Sequence, residues 1–282
     1  MNLHFKAQAP ENGFSIVASP QNSPLRFQSI GLLNLLGRGR SYEGKLGEEE
    51  AVLTLLSGQG TIEIHERSGA TTRYDLGPRR DPFLDRATLV YLPPEAAFKV
   101  TSVSSEFQSA LHSAPASQEG AAFLIKPDTL SPVPTGVSNW RRDVCVCTPN
   151  EVPVQRFIIG ETINPPGNWS SYPPHKHDEE KPPFEAAYEE IYHFLVKPRQ
   201  GFGFIRVYEP AERENRLDEA FVIENGDTVV LPKGYHPLTV APGYQLYYLF
   251  ALVGEKREYG AWSDDPDHQW VRACEAVVKG TQ

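Results

Sequence analysis

The sequence predicts an all-β protein that contains two barrels in one chain and few short helices. Its 282 residues include 25 Pro and 22 Gly, which favours short strands separated by turns over a helical bundle. Runs of β-branched and aromatic residues, bounded by Gly, Pro or Asn, recur along the chain as is typical of strands. These runs form two blocks, about 29–113 and about 152–253, and the 40% hydrophobic content is enough for a core.

The two blocks share a pattern that indicates a diverged duplication. Each contains a strand that leads to a Gly turn, and later a strand that ends at Leu-Pro, at Leu92–Pro93 and Leu231–Pro232. In the second block, Asn225-Gly226 predicts a tight turn. The predicted strand-like runs are 51–58, 60–65, 87–94, 155–160, 190–196, 201–208, 227–232 and 244–253.

This pattern sets the expected domain boundaries. We expect an N-terminal barrel over residues 1–120 and a connecting segment over 121–150, which is rich in Pro and Ser. A C-terminal barrel follows over 151–282. Its last residues, from Asp264 onward, predict a terminal helix that begins at an Asp or Pro.

Composition limits the partners and the compartment. The net charge of −9 and the pI near 5.4 argue against nucleic acid or an anionic membrane, since both require a basic surface. A small anionic substrate remains compatible, because a few Arg residues and a metal can dominate one pocket. No apolar run approaches the roughly 20 residues of a membrane span, and the N-terminus lacks the apolar core of a signal peptide. With neither signal, we expect a cytoplasmic protein. The three Cys are an odd and low number for a disulfide scaffold.

A set of separated residues predicts a metal site in the second block. His175 and His177 are two apart, so on a strand both imidazoles lie on one face and can reach one ion. Glu190 opens a strand, and His236 follows Gly234 in a Pro-x-Gly-x-His segment. The order His-x-His, Glu, Pro-x-Gly-x-His resembles the metal site of a cupin barrel, the double-stranded β-helix or jelly roll.

Strand alternation separates the ligands from their neighbours. Lys176 points away from the two histidines, and His193 points out of the barrel if Glu190 points in. Glu189 is a competing ligand, but we expect it to precede the strand. The stretch 178–189 between His177 and Glu190 is longer than compact cupin spacing and requires a loop.

Three imidazoles and one carboxylate suit one divalent ion, and Mn, Fe, Ni and Zn all remain open. Such a set leaves coordination positions free, which favours catalysis or ligand capture over a structural role. The first block has no His-x-His and carries Pro94-Glu-Ala-Ala97 where the third histidine is expected. The N-terminal barrel is therefore predicted to be metal-free.

The chain also resembles a known family, the 5-deoxy-glucuronate isomerases of myo-inositol catabolism. The resemblance lies in 160–178, 189–192, 201–208, 232–237 and 264–268, with weaker matches at 85–86 and 91–93. It implies a bicupin that converts 5-deoxy-D-glucuronate to 2-deoxy-5-keto-D-gluconate, with the metal ligands named above. His193, where an aromatic is usual, and the 250–254 strand ending depart from the pattern.

Other functions remain open. The family is similar to the uronate ketol-isomerases of pectin breakdown, so another sugar acid is an alternative substrate. A metal cupin oxygenase and a non-catalytic sugar-binding cupin are further alternatives. The exposed sheet edges of bicupins leave homo-oligomerisation open.

Moving the carbonyl from C1 to C2 requires a base that removes the C2 proton. Glu161 and Tyr192 are candidates, although a solvated turn carboxylate and a barrel-core ring are the alternatives. Arg156 and Arg206 are candidates for the substrate carboxylate, since a guanidinium binds carboxylates through two parallel hydrogen bonds; surface exposure is the alternative.

Aromatic side chains complete the predicted substrate site. Trp169 and Tyr172 flank the His-x-His motif and are candidates for the wall of a sugar pocket, with ordinary packing as the alternative. Tyr208 shares the strand face of Arg206 and is a further candidate for substrate binding.

Overall fold

The computed structural model describes residues 2–118, 120–258 and 260–280, and these are mostly strands. The strands are β1 (His4–Phe5), β2 (Gly13–Ala18), β3 (Ser29–Leu36), β4 (Ser41–Lys45), β5 (Glu49–His65), β6 (Thr71–Arg79), β7 (Leu89–Leu92), β8 (Ala97–Ser102), β9 (Glu106–Pro115), β10 (Phe123–Ile125), β11 (Val133–Thr135), β12 (Arg142–Val146), β13 (Ile158–Asn164), β14 (Trp169–Ser170), β15 (His175–Lys176), β16 (Tyr188–Lys197), β17 (Phe202–Tyr208), β18 (Asp218–Glu224), β19 (Thr228–Leu231), β20 (Leu238–Val240), β21 (Gln245–Gly254) and β22 (Ser263–Asp264). The α-helix α1 spans Trp270–Gly280, and Pro127–Thr129 and Ser138–Trp140 are short 3-10 turns. The predicted fold class is confirmed.

The chain divides into two compact units whose boundaries differ from those predicted. The N-terminal unit comprises Gln8–Ser131 and Pro153–Phe157. The C-terminal unit comprises Met1–Ala7, Pro132–Val152 and Ile158–Gln282. The predicted connecting segment 121–150 is therefore shared between the units, because β10 pairs with β7 while β11 and β12 extend the sheet of β13.

The two units repeat one strand order. In the N-terminal unit the order is β10-β7-β5-β9-β3-β2, and in the C-terminal unit it is β1-β19-β16-β21-β13-β12-β11. The Leu-Pro strands β7 and β19 occupy the same place in this order and are buried along their whole length. This correspondence supports the duplication inferred from the sequence.

The N-terminal unit corrects one strand boundary. The segments predicted as separate strands, 51–58 and 60–65, form the single strand β5, which pairs first with β7 and β9 and then with β6 and β8. The pairing register shifts at Gly58, where φ is +94° and a Cβ would lie 2.2 Å from the Glu106 carbonyl oxygen. The Gly residues therefore bend one strand rather than end it.

In the C-terminal unit, the core lies between a seven-stranded sheet and the four-stranded sheet β14-β20-β17-β18. Ile205 and Val207 on β17 pack with Phe194, Tyr248 and Phe250 of the larger sheet. The Asn225-Gly226 turn, with Gly226 at φ +92°, carries the chain from β18 in one sheet to β19 in the other. This side of the larger sheet is called the interior face below.

The terminal helix begins at Trp270, later than predicted. Residues 266–269 form turns instead, in which the Asp265 carbonyl accepts hydrogen bonds from the backbone N–H groups of His268 and Gln269. No helix among the described residues has the length and apolar character needed to cross a bilayer.

Candidate active site

Three histidines from separate parts of the chain meet in the C-terminal unit. His175 lies on β15, His177 follows it, and His236 lies between β19 and β20. One ring nitrogen from each lies within 4.8 Å of the others. The ring centroids of His236 are 5.0 Å from His175 and 5.1 Å from His177. The structure thus brings together the predicted imidazoles.

Backbone carbonyls orient these rings. The Nδ1–H of His177 donates to the Tyr188 carbonyl at 3.2 Å, and the Nδ1–H of His236 donates to the Gly234 carbonyl at 3.0 Å. In the neutral rings this leaves a lone pair on each Nε2, and the Nε2 atoms of His177 and His236 lie 3.1 Å and 3.4 Å from the same Glu190 Oε2, where a proton or a cation can lie between them. Two lone pairs and a carboxylate oxygen thus converge on one point.

The pKa values of the histidines differ with their surroundings. Burial, followed by the neighbouring rings, lowers the pKa of His175 well below its usual value. Burial likewise lowers the pKa of His236 to about 4. Burial acts in the same direction on His177, but the hydrogen bond and charge of Glu190 outweigh it and raise that pKa. His175 and His236 are therefore neutral donors near pH 7.

This donor set fits a divalent metal ion. The buried Nε2 of His236 neither donates nor accepts a hydrogen bond among the described residues. A buried polar atom without a partner is unfavourable unless a ligand binds to it. Three imidazoles and a carboxylate, with the rings of His177 and His236 oriented through Nδ1, are a usual arrangement for transition metals. His175, His177, His236 and Glu190 can therefore hold one ion.

The strand β16 distinguishes the two adjacent glutamates. It begins at Tyr188, so Glu189 lies inside the strand rather than before it, contrary to our expectation. In the register with β21, Glu190 lies opposite Leu252, a residue of the interior core, and Glu189 lies opposite Val253 on the other face. Alternation therefore directs Glu190 to the histidines.

Tyr192 lies on the same face as Glu190, as predicted. Its ring centroid is 5.9 Å from that of His236, and its hydroxyl is 3.2 Å from Ser171 Oγ. Burial, followed by the charge of Glu190, raises the pKa of Tyr192 well above 10. A phenol that retains its proton suits the role of a hydrogen-bond donor better than that of the base.

Glu161 does not join this group. Its partner on β21 is Leu249, whereas the interior residue Tyr248 lies opposite Thr162. Glu161 therefore lies on the face opposite Glu190 and Tyr192, where its Oε1 accepts a hydrogen bond from the Tyr247 hydroxyl at 2.6 Å. The structure does not support Glu161 as the base, because its side chain points away from the histidines.

The two predicted arginines also lie elsewhere. Arg156 belongs to the N-terminal unit, where its guanidinium lies 4.9 Å from the centroid of the Phe27 ring. Arg206 lies on the outer face of β17, since its neighbours Ile205 and Val207 point into the core. Its guanidinium makes two hydrogen bonds to the Asp218 carboxylate, at 2.8 and 2.9 Å. The Arg206 guanidinium therefore does not face the imidazoles.

Of the predicted aromatic residues Trp169, Tyr172 and Tyr208, only Tyr172 contacts, within the described residues, a side chain that is directed to the interior face. Trp169 pairs with Thr239 on the outer face and is exposed. The next pair along these strands, Ser170 and Leu238, points to the interior. The Tyr172 ring lies 5.7 Å from Trp169, and its carbonyl accepts a hydrogen bond from an arginine described below. The Tyr208 hydroxyl donates to Asp265 at 2.6 Å and thereby anchors the C-terminal segment.

The insertion 178–189 is an ordered element that closes on Lys176. As alternation predicts, Lys176 points away from the histidines, and its buried ammonium donates to Asp178 at 2.6 Å and Glu185 at 2.8 Å. Glu185 in turn accepts from the backbone N–H groups of Asp178 and Glu179. These bonds fix the segment between His177 and Glu190.

Sequence reasoning missed several residues beside the histidines. Tyr248 lies on the interior face, 4.7 Å from the Tyr192 ring, and its hydroxyl is 2.6 Å from Ser170 Oγ. Trp262 lies 5.7 Å from the His175 ring. The alternation of β21 could have identified Tyr248. Arg142 was missed because its segment was interpreted as a connection rather than as the strand β12.

Two stacked sheets with three imidazoles and a carboxylate in the interior define a cupin-type protein. Comparisons with known proteins refine this class. The model of the KduI/IolB family matches residues 3–271. The chain is 32% identical to the 5-deoxy-glucuronate isomerase of Geobacillus thermodenitrificans over 95% of each chain, and 35% identical to that of Bacillus licheniformis over 89% of each. The chain belongs to the KduI/IolB family and is an isomerase.

Solved structures agree with this assignment. An IolB-like protein from Salmonella typhimurium LT2 has a TM-score of 0.87 at 30% identity and covers 96% of this chain and 100% of its own. An oxalate decarboxylase from Lactobacillus farciminis, at 13% identity and a TM-score of 0.67, covers 94% of this chain and 88% of its own. The second likeness concerns the fold alone.

Proposed function

We propose that this protein is a metal-dependent aldose–ketose isomerase that converts 5-deoxy-D-glucuronate to 2-deoxy-5-keto-D-gluconate, as a step of myo-inositol catabolism. The observation that carries the proposal is the similarity to relatives named 5-deoxy-glucuronate isomerase along nearly the whole chain. The interior donor set supports it, because this reaction requires an electrophile beside a substrate carbonyl.

In this proposal His175, His177, His236 and Glu190 hold one divalent ion. When bound, the ion supplies polarisation of the substrate carbonyl. The backbone carbonyls of Tyr188 and Gly234 keep two of the rings in the tautomer that presents Nε2.

Tyr192 supplies a proton donor beside this set. Its hydroxyl stays protonated near pH 7 and is directed toward Ser171 and Glu190. It can donate a hydrogen bond to a substrate oxygen on which negative charge develops, an arrangement typically worth 10²–10³ in rate. The buried rings of Tyr192 and Tyr248 also exclude water from this side of the site.

The test is turnover by the purified, metal-loaded protein. We expect 5-deoxy-D-glucuronate to yield 2-deoxy-5-keto-D-gluconate, identified by NMR, without oxygen uptake. Absence of this product would refute the proposed substrate, and conversion of a different uronate would establish the alternative ketol-isomerase. Oxygen consumption would indicate an oxygenase. Full activity after demonstrated removal of the metal would refute metal dependence.

A cytoplasmic location and homo-oligomerisation stay predictions. Cell fractionation and light scattering of the purified protein test them.

A further inference from the structure

Arg142 occupies an unusual position in the C-terminal unit. It begins β12, and the alternate residues Val144 and Val146 pack against the interior core. Val144 lies opposite Thr162, which in turn lies opposite Tyr248. Alternation therefore directs the Arg142 side chain to the interior face, the face that carries Glu190 and Tyr192.

The guanidinium of Arg142 is held but not neutralised. Its Nη1 donates to the carbonyls of Trp140 at 3.2 Å and Tyr172 at 3.3 Å. The Nε atom is buried and finds no hydrogen-bond partner among the described residues. Glu275 contributes a favourable charge, but its carboxylate accepts a hydrogen bond from Trp140 and forms no ion pair with Arg142 in the described part of the chain. Arg142 as a whole is half-buried, but a cationic group whose Nε is buried without a carboxylate partner is unfavourable.

The charge of Arg142 reaches the candidate active site. Burial lowers the pKa of Arg142, while the tyrosines Tyr248 and Tyr192 act on it in the opposite sense. Arg142 also contributes to the lowered pKa of His175, after burial and the two neighbouring rings. Arg142 thus lies within electrostatic range of the imidazoles, although no hydrogen bond joins it to His175, His177 or His236 in the described structure.

We propose that the Nε–Nη2 edge of Arg142 binds the carboxylate of the sugar-acid substrate and that this contact selects acids over neutral sugars. The inference rests on the proposed function. In a six-carbon aldehyde acid the carboxylate lies at the opposite end of the chain from C1. A guanidinium that is near the imidazoles but not in contact with them fits this separation. Both carbonyl contacts are made by Nη1. The Nε–Nη2 edge, which can pair side-on with a carboxylate through two hydrogen bonds, is therefore the one directed to the substrate.

The test compares R142M and R142K with wild type, using 5-deoxy-D-glucuronate and the neutral analogue 5-deoxy-D-glucose. The matched control is R141M, since Arg141 is adjacent but exposed and paired with Asp143. We expect R142M to lower kcat/KM for the acid about 100-fold, mainly through KM, and to abolish the preference for the acid. R142K should retain part of this preference, and R141M should resemble wild type.

Metal content and thermal melting of each variant monitor folding. If R142M is unfolded, R142K tests the inference through the ratio of kcat/KM for the acid to kcat/KM for the neutral analogue. An R142K ratio equal to that of wild type overturns the inference. An R142M enzyme with the wild-type KM for the acid also overturns it.

A wild-type protein that does not isomerise the acid refutes the proposed function rather than this inference. Calorimetric binding of 5-deoxy-D-glucuronate to metal-loaded wild type and R142M then tests Arg142 separately. Loss of binding in R142M supports the inference, whereas equal binding, or none to wild type, overturns it.

Discussion

At the scale of single residues, the site depends on which nitrogen each imidazole presents. Backbone carbonyls accept the Nδ1 protons of His177 and His236, so the lone pairs of both Nε2 atoms face the Glu190 carboxylate. Without a cation, the Nε2 of His236 is a buried acceptor that faces another acceptor. This arrangement is favourable only when a proton or a metal ion lies between them.

Replacing His175 with alanine tests the donor set. H175A removes one of three imidazoles, so we expect metal content to fall at least about tenfold and kcat/KM to fall on the order of 1000-fold. Elemental analysis and turnover of 5-deoxy-D-glucuronate measure both. The control is H65A, because His65 is exposed in the N-terminal unit. An H175A protein that keeps both metal and activity would exclude His175 as a ligand.

Residue-scale prediction from sequence succeeded in part. Alternation placed His175 and His177 on one face, because side-chain direction along a strand is a local property. The resemblance of the motif order to a cupin metal site then grouped them with Glu190 and His236. The same reasoning could not separate Glu161 from Tyr192. Their relative faces depend on the register of both strands with β21, which is not encoded in either segment alone.

At the scale of elements, a buried ammonium anchors the insertion 178–189. The Lys176 side chain is 6% exposed and lies between the buried carboxylates of Asp178 and Glu185. Burial opposes the charge on Lys176, but the hydrogen bonds to both carboxylates outweigh it and raise its pKa. This group of charges joins the strand that carries the histidines to β16.

Replacing Lys176 with methionine should weaken this element. K176M leaves the buried Glu185 without its cation and Asp178 with only the more distant Arg213, so we expect a loss of about 3–5 kcal/mol in the free energy of unfolding. Metal affinity should fall roughly tenfold, because His177 and Glu190 flank the insertion. Urea unfolding and chelator competition measure the two effects.

The control for this experiment is K181M, since Lys181 is exposed where it pairs with Glu179. The double variant K176M/E185M should recover part of the lost stability, because it removes one stranded charge. A K176M protein as stable as K181M would contradict the proposed role of Lys176.

A second element-scale contact attaches the first strand to the C-terminal unit. The buried Asp227 carboxylate, in the turn before β19, accepts hydrogen bonds from His4, Lys6 and the backbone N–H of Ala7. Burial opposes its ionisation, but these bonds prevail and lower the pKa of Asp227 to about 2. The ionised carboxylate therefore stabilises β1 against β19.

The lowered pKa predicts a pH dependence. Asp227 stabilises the fold above its unfolded pKa of about 4, and this contribution is lost as the pH falls through about 2. We expect D227N to lower the free energy of unfolding by roughly 2 kcal/mol at pH 7 and to reduce its decline between about pH 4 and 2. Urea unfolding over this range measures the difference from wild type. The control is E224Q, because the Glu224 side chain is exposed. If the free energy of unfolding falls with pH in parallel for wild type and D227N, Asp227 does not make the predicted contribution.

At the scale of the whole molecule, two units with one strand order carry different side chains. The order β7-β5-β9-β3 in the N-terminal unit matches β19-β16-β21-β13 in the C-terminal unit. The cluster of three imidazoles lies in the C-terminal unit, whereas the first block of the sequence has no His-x-His. This difference between the two repeats predicts one metal site per chain.

Metal stoichiometry tests this prediction. We expect the purified protein to bind one divalent ion per chain, with Mn, Fe, Ni and Zn as the ions to compare by elemental analysis and titration. Saturation at about 100 times Kd should stabilise the protein against unfolding by about 2.7 kcal/mol, because the ion binds the folded state. Two tightly bound ions per chain would contradict a metal-free N-terminal unit.

The sequence by itself determined the fold class, the duplication and the grouping of His175, His177, Glu190 and His236. The first two follow from strand-forming runs and turn residues, which act over short stretches of chain. The grouping also required the resemblance of the motif order to a cupin metal site. Only the tertiary structure decided which charged side chains face the interior. It placed Arg206 on the outer face and Arg142 on the interior face, because a strand acquires an inside and an outside only through the strands and sheets that pack against it.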